Sequence, residues 1–215
     1  MTQSANSPDR KRRSRMDMQA ETRHRLIKAA AELIAAQGLA ATSIRGTCEA
    51  AGYSQGAFYS NFATKDDLLI ALVEDHMAAL VSSMDDILTN GQGLTLRESL
   101  QLMMPRLAAL ARAPMPSLVV VELNLHARRD ADFAARFRTV HSAYHREFAR
   151  IARVLTERHA LSPQVPPEQI AWAMTSLWSG AITQAAFGEP MPLEEMMARL
   201  FEALSGSPDS SMGNG

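Results

Sequence analysis

Residues 50–69 read Ala50-Ala51-Gly52-Tyr53-Ser54-Gln55-Gly56-Ala57-Phe58-Tyr59-Ser60-Asn61-Phe62-Ala63-Thr64-Lys65-Asp66-Asp67-Leu68-Leu69. Two helix starts lie in this stretch. Ser54 is placed to cap a short helix that carries Phe58 and Phe62 four apart on one face. Thr64 and Asp67 form an S/T-x-x-D/E capping box that opens a long one. Just upstream, a helix from about Ile44 ends at Ala51. Gly52 then supplies a positive-φ turn that other residues resist, and the small Ala50 and Ala51 let the helices approach closely. Two short helices joined by Ala51-Gly52-Tyr53-Ser54 have the dimensions of a helix-turn-helix. In such a unit the second helix can enter a DNA major groove while the first braces on the backbone.

Working outward, apolar spacing (Leu26, Ala30, Leu33, Ile34) predicts a helix from Asp17–Ala20 to Gly38. The helix opened by Thr64 carries Leu68, Leu69, Leu72, Val73, Met77 and Leu80 to about Thr89 and breaks at Asn90-Gly91-Gln92-Gly93. Beyond it, helices are expected at Arg97–Ala113, Ser117–Arg128, Ala131–His159, 168–187 and Leu193–Leu204. Pro105 should kink or split the first of these, and Leu118–Val121 is short enough to be ambiguous with a strand. Glu189-Pro190-Met191-Pro192 should form the last turn. Composition agrees with an all-α fold: 35 Ala, 23 Leu and 13 Met stand against 16 Val and Ile together. The organisation expected is a basic disordered tail (1–16), a three-helix unit holding the helix-turn-helix (17–63), a long helix leading into a helical body (64–205), and a disordered tail (206–215); the resemblance given below implies that the unit binds DNA and that the body binds a ligand and dimerises.

The net charge of −1 conceals a split. Residues 1–62 hold nine Lys/Arg against five acids, while the remaining 153 hold 13 basic and 18 acidic groups. A basic head on an acidic body is suited to a polyanion. The Arg10–Arg15 cluster would either enter a narrow minor groove or remain a solvated tail. Cys48 is the only cysteine, which excludes a disulfide scaffold and suits the cytoplasm; a small buried hydrophobe is favoured over a redox sensor. No apolar run follows Arg15, so no secretory signal is read. Gln169 to Gly188 lacks any charge over 20 positions, but polar residues interrupt it. A helix buried within a domain or between subunits is expected there, not a membrane span.

The wider string Thr22-Arg23 … Leu26-Ile27-Lys28-Ala29-Ala30-Ala31-Glu32-Leu33-Ile34 … Gly38 … Ala41-Thr42-Ser43-Ile44, continued by Ala50 to Phe62 and Lys65-Asp66-Asp67-Leu68-Leu69, resembles the N-terminal domain of TetR/AcrR-type transcriptional regulators. The resemblance spans about residues 20–70, and Ser54-x-Gly56-x-x-Tyr59-x-x-Phe62-x-x-Lys65 is its most discriminating part. It places Gln55 to Phe62 in the major groove, with Phe58 and Phe62 in the core against Leu26, Ile34 and Ile44. It implies phosphate contacts from Tyr59, Lys65 and Asn61, and from Thr42 or Ser43. Base-edge reading falls to Gln55, Ala57, Ser60 and Arg45. Thr47-Cys48 stands where an Ile-Ala pair is common, and Tyr53 where a small aliphatic is common. Both departures leave the helix pose open.

In the body the resemblance is looser and implies an effector site and a dimer. Met103, Leu107, Leu123, His126, Tyr144, Phe148, Trp172 and Thr175 are candidates for an apolar pocket with a few orienting polar groups. Trp178, Ala181, Ala185, Met196, Met197 and Leu200 are candidates for a homodimer interface that would present two reading helices to a near-palindromic operator. His141 and His145 lie at i, i+4, but no Cys, Asp or Glu in register completes a metal site, so no metal or cofactor is expected. Two rivals remain: an all-α enzyme using His126, His141 or His145 as base, which lacks a nucleophile–base pair, and a helical ligand-binding or interaction module with impaired DNA binding.

Overall fold

The computed structural model describes residues 15–112, 114–184 and 192–206. Among these, nine α-helices make up the regular structure: α1 (Arg15–Gln37), α2 (Ile44–Ala51), α3 (Gln55–Tyr59), α4 (Lys65–Asn90), α5 (Leu96–Arg112), α6 (Pro114–Arg129), α7 (Ala131–Arg158), α8 (Pro167–Gln184) and α9 (Leu193–Ser205). The expected disordered tails, the turn through Met191 and Ala185 lie outside the described residues, apart from the tail residues Arg15, Met16 and Gly206 at their inner ends.

Most boundaries follow local chemistry. Thr64 and Asp67 exchange side chain and backbone hydrogen bonds, completing the capping box of α4. Asp130 caps α7 by accepting from the Phe133 amide at 2.8 Å. Two expectations are corrected. Pro105 does not split α5, which runs through it. Pro105 and Gln101 are both exposed, so the carbonyl that the proline leaves unbonded is open to water. The apolar Leu118–Val121 is helical, and α6 begins three residues before the expected Ser117 because Pro114 takes its first position, where a missing N–H costs nothing.

Two buried clusters organise the chain. The first gathers Leu26, Ala30 and Ile34 of α1 with Phe58 and Phe62, then continues through Leu68 to Val73 of α4, Leu123 of α6 and Phe133 of α7. Helices α1–α3 therefore complete their core on the helices that follow. The second cluster lies among α4, α5, α7, α8 and α9, around Met84, Leu100, Leu155 and Ile170. Between the two, α1 packs on both α4 and α6 from one side and α7 packs on both from the other, while α4 and α6 make little contact of their own.

Candidate nucleic-acid interface and internal cavity

The turn between α2 and α3 is built as its residue types demand. Ser43 caps α2 by accepting from the Gly46 amide at 3.0 Å. Gly52 closes α2 in the left-handed conformation (φ 74°), and the Tyr53 amide donates back to the Cys48 carbonyl at 2.9 Å. Ser54 then caps α3, accepting from Ala57 at 3.2 Å. Thr47 and Cys48, the departures from the common pattern, are both buried, and the Thr47 hydroxyl is satisfied by the Ser43 carbonyl at 2.9 Å. Burial also pushes the Cys48 thiol up from its ordinary pKa. The helix pair is therefore packed without a polar defect at these positions.

Helix α3 is shorter than the stretch to Phe62 expected from the resemblance. It ends at Tyr59 because the side chains of Ser60 and Asn61 both donate to the Ala57 carbonyl, at 2.8 Å each. Its two faces differ sharply. Phe58 is fully buried, edge-to-face with Tyr59 at 5.4 Å and tilted against Phe62 at 5.5 Å. Gln55, Tyr59 and Ser60 are exposed and Ala57 is half-buried, which leaves them on the outer surface as a reading face requires. Arg45 is exposed too, with its Nε on Glu49 at 2.8 Å; an exposed pair of this kind exchanges readily for another partner. Sequence reasoning missed Arg23, whose guanidinium stands 4.6 Å over the Phe62 ring and pins α1 to the end of the reading unit.

Three phosphate candidates are engaged within the protein. Thr42 is buried, and its hydroxyl donates to the Gly38 carbonyl at 2.9 Å, so its donor is spent inside; exposed Ser43 is the available member of that pair. Asn61 is half-buried, with its amide on Ala57. Lys65 is half-buried with Nζ donating to the Leu39 carbonyl at 2.8 Å, and desolvation lowers its pKa. Beside it the Leu39 amide donates to Glu122 of α6 at 3.2 Å.

Three successive residues at the start of α4 thus reach three different elements. Lys65 holds the α1–α2 bend, Asp66 faces His126 of α6 at 3.4 Å, and Asp67 pairs with Arg136 of α7 at 2.5 Å. Burial opposes ionisation of Asp67, but hydrogen bonds from Arg136 and from the Thr64 hydroxyl and amide outweigh it and hold the carboxyl below its ordinary range. Asp66, His126 and Asp130 each offer an atom within 4.8 Å of one another, the one potential metal-binding group among the described residues. One Asp130 oxygen also caps α7.

Behind the head, a cavity of about 600 Å³ opens among α4, α6, α7 and α8. Of the expected pocket residues, Leu123, Tyr144, Trp172 and Thr175 line it, together with Arg128, Arg138, His141 and His145. Trp172 stacks on His145 with centroids 5.8 Å apart, and His145 lies 4.5 Å from His141. Burial lowers the pKa of both histidines, and their mutual repulsion lowers that of His145 further. Met103, Leu107 and Phe148 lie instead around a void of about 30 Å³ in the body core, where they are packing residues. His126 is outside both spaces, between Asp66 and the Phe133 ring. Two interface candidates are likewise corrected. Trp178 is 4% exposed, lines the cavity and donates its indole N–H to the Leu107 carbonyl at 3.1 Å; Met197 is buried in the body core. Met196, Leu200 and Ala181 retain exposed or half-buried surface. Among the described residues no helix is long and apolar enough to cross a membrane.

The fold and the capped α2–turn–α3 unit define a helix-turn-helix protein with an appended helical body. Residues 26–72 match the model of the bacterial regulatory proteins, tetR family, so the head of the chain is a domain of that type. An uncharacterised HTH-type transcriptional regulator of Bacillus subtilis, YerO, is 36% identical over 67 residues, covering 31% of this chain and 23% of that protein. Among solved structures, Salmonella enterica GusR superposes with a TM-score of 0.70 at 19% identity, over 86% of this chain and 95% of that one. A TetR transcription regulator from Haloarcula marismortui gives 0.66 at 19% identity, over 86% and 97%. The structural likeness extends the shared fold to the helical body.

Proposed function

We propose that this chain is a transcriptional regulator, a repressor that binds a near-palindromic operator as a homodimer and releases it when a small molecule fills the cavity behind the head. The observation that carries this reading is the division of α3. Phe58 is buried in a core that reaches Leu123 on the cavity wall and Phe133 on α7, while Gln55, Tyr59 and Ser60 are exposed. Reading surface and cavity wall therefore belong to one packed unit, and an occupant of the cavity has a direct route to the helix that meets DNA.

On this reading Gln55, Ala57, Ser60 and Arg45 contact base edges, and Tyr59 and Ser43 contact phosphates. Lys65 is chiefly a brace. Met196, Leu200 and Ala181 belong to the subunit interface, while Trp178 and Met197 support it from within each protomer. A gel-shift titration with the DNA upstream of the protein's own gene tests the proposal. A discrete complex that Gln55→Ala weakens on that DNA but not on random DNA is expected. Equal binding of both DNAs, by wild type and variant alike, would refute it.

A further inference from the structure

A second space adjoins the main cavity. It has about 240 Å³, and α1 closes it with Ile27 and Ala31 against Leu72 of α4 and Val119 of α6, while exposed His24, Lys28 and Asp75 stand at its edge. The two spaces share Val73, Met77, Val120 and Leu123. These four side chains are the partition that fills the gap between α4 and α6, the pair that α1 and α7 hold from opposite sides. Met77 is half-buried and unbranched, the kind of side chain that turns aside at little cost. The two spaces differ in chemistry. The larger is lined by Arg128, Arg138, His141 and His145 without a single Asp or Glu, and neither arginine has an ion-pair partner among the described residues. The smaller is walled mainly by aliphatic side chains, with His76 the one buried polar group among them.

We propose that the ligand is an elongated amphiphile with an anionic head held at Arg128 and Arg138, whose apolar tail passes the Val73–Met77–Val120–Leu123 partition and lodges directly beneath α1. The inference rests on the ligand-responsive reading above and names the ligand class. Its mechanical content is that the tail touches a helix of the DNA-binding head itself. An occupant of the smaller space must bear on Ile27 and Ala31, and α1 carries Arg23 over the Phe62 ring at the end of the reading unit.

The experiment uses the full-length protein and its own fluorescence, because both of its tryptophans, Trp172 and Trp178, line the larger cavity. Straight-chain carboxylates from hexanoate to palmitate are titrated below their micellar concentrations, with the matching alcohols and with dodecyl phosphate beside dodecanoate. Affinity should rise about fourfold for each further methylene buried. Acids should bind at least tenfold more tightly than the alcohols, and the carboxylate–phosphate pair ranks the two anionic heads. Ala31→Phe, which fills the smaller space, and Val120→Phe, which plugs the partition, should each flatten the chain-length dependence; thermal melts identify a variant that fails to fold, and the other then decides. A rise that stops at short acids in the wild type, or that survives both substitutions, would overturn the tail's path. Alcohols binding as tightly as acids would overturn the anionic head. Operator binding without ligand is measured separately, so failure here is distinguishable from failure of the regulatory reading.

Discussion

The ammonium of Lys65 donates to the carbonyl of Leu39 at 2.8 Å, joining the first turn of α4 to the bend between α1 and α2. Glu122 holds the amide of the same residue, so the bend is bound on both sides of one residue by side chains from two later helices. Replacing Lys65 with Met keeps the aliphatic stem and removes the donor. The variant should lose on the order of 1–2 kcal/mol of stability. Its DNA affinity should fall while the dependence of log affinity on log salt keeps its slope. A slope reduced by about one unit would show that the lysine instead neutralises a phosphate.

Tyr59 presents its hydroxyl at the surface while its ring edge rests on Phe58. Tyr59→Phe should leave the melting temperature nearly unchanged and weaken operator and random DNA alike by about fivefold, the effect of one lost hydrogen bond. A loss confined to the operator would assign the tyrosine to base reading.

Asp67 performs two tasks, capping α4 and pairing with Arg136. Asp67→Ala should destabilise the protein by about 1 kcal/mol through the cap. Arg136→Ala should cost less, because its partly exposed pair is screened by water. The depressed carboxyl contributes stability above the ordinary carboxylate range, and that contribution fades as pH falls through its lowered folded value. Urea titrations of both single variants and the double variant, at neutral and acidic pH, separate the two tasks.

His76 is pressed into the wall between α1 and α4 with Nε2 buried and unpartnered among the described residues, and burial lowers its pKa below 6.5. Asp75, Lys28 and His24 line the same space. The folded state favours neutral imidazole more strongly than the unfolded chain does, so the unfolded chain takes up protons first on acidification. Stability should be full at neutral pH and fall as pH drops through the imidazole range. His141, His145 and His159 are shifted the same way and add to the slope. The urea midpoint should decline from pH about 7.5 to about 5, and His76→Gln should make that decline shallower.

Trp178 lies inside the protomer with its indole N–H on Leu107, so Trp178→Phe should lower the melting temperature while leaving the dimer dissociation constant unchanged. The cost should be about 1–3 kcal/mol, because a buried hydrogen bond and part of the indole's packing are lost together. Analytical ultracentrifugation beside a thermal melt reads the two quantities separately. Weakened association with an unaltered melt would restore the residue to the subunit interface.

The features legible in the chain are those whose cause is local. Ser54, Thr64 with Asp67, Gly52 and the Phe58–Phe62 spacing each encode their turn or cap within a few residues, and each is where the residue types demanded. The cavity is different. Met103, Leu107 and Phe148 have the same apolar helical spacing as Leu123, Tyr144 and Trp172; what separates them is which other helices each set meets, and that is a matter of tertiary packing. Trp178 is hidden from sequence reasoning for a related reason. An uncharged helix must bury itself, but whether against its own chain or another depends on a carbonyl 71 residues away. Lys65 and Thr42 look like free donors until the Leu39 and Gly38 carbonyls are found beside them.

Neighbours on α3 divide two obligations between them. Phe58 answers only to the interior, while Gln55 answers only to what lies outside. Vocabulary and grammar are thus kept on separate residues. On the proposed reading, exchange of Gln55 would rewrite which operator is recognised without disturbing the responsiveness routed through Phe58 and its core, so descendants of this chain would be free to change their genes while keeping their signal.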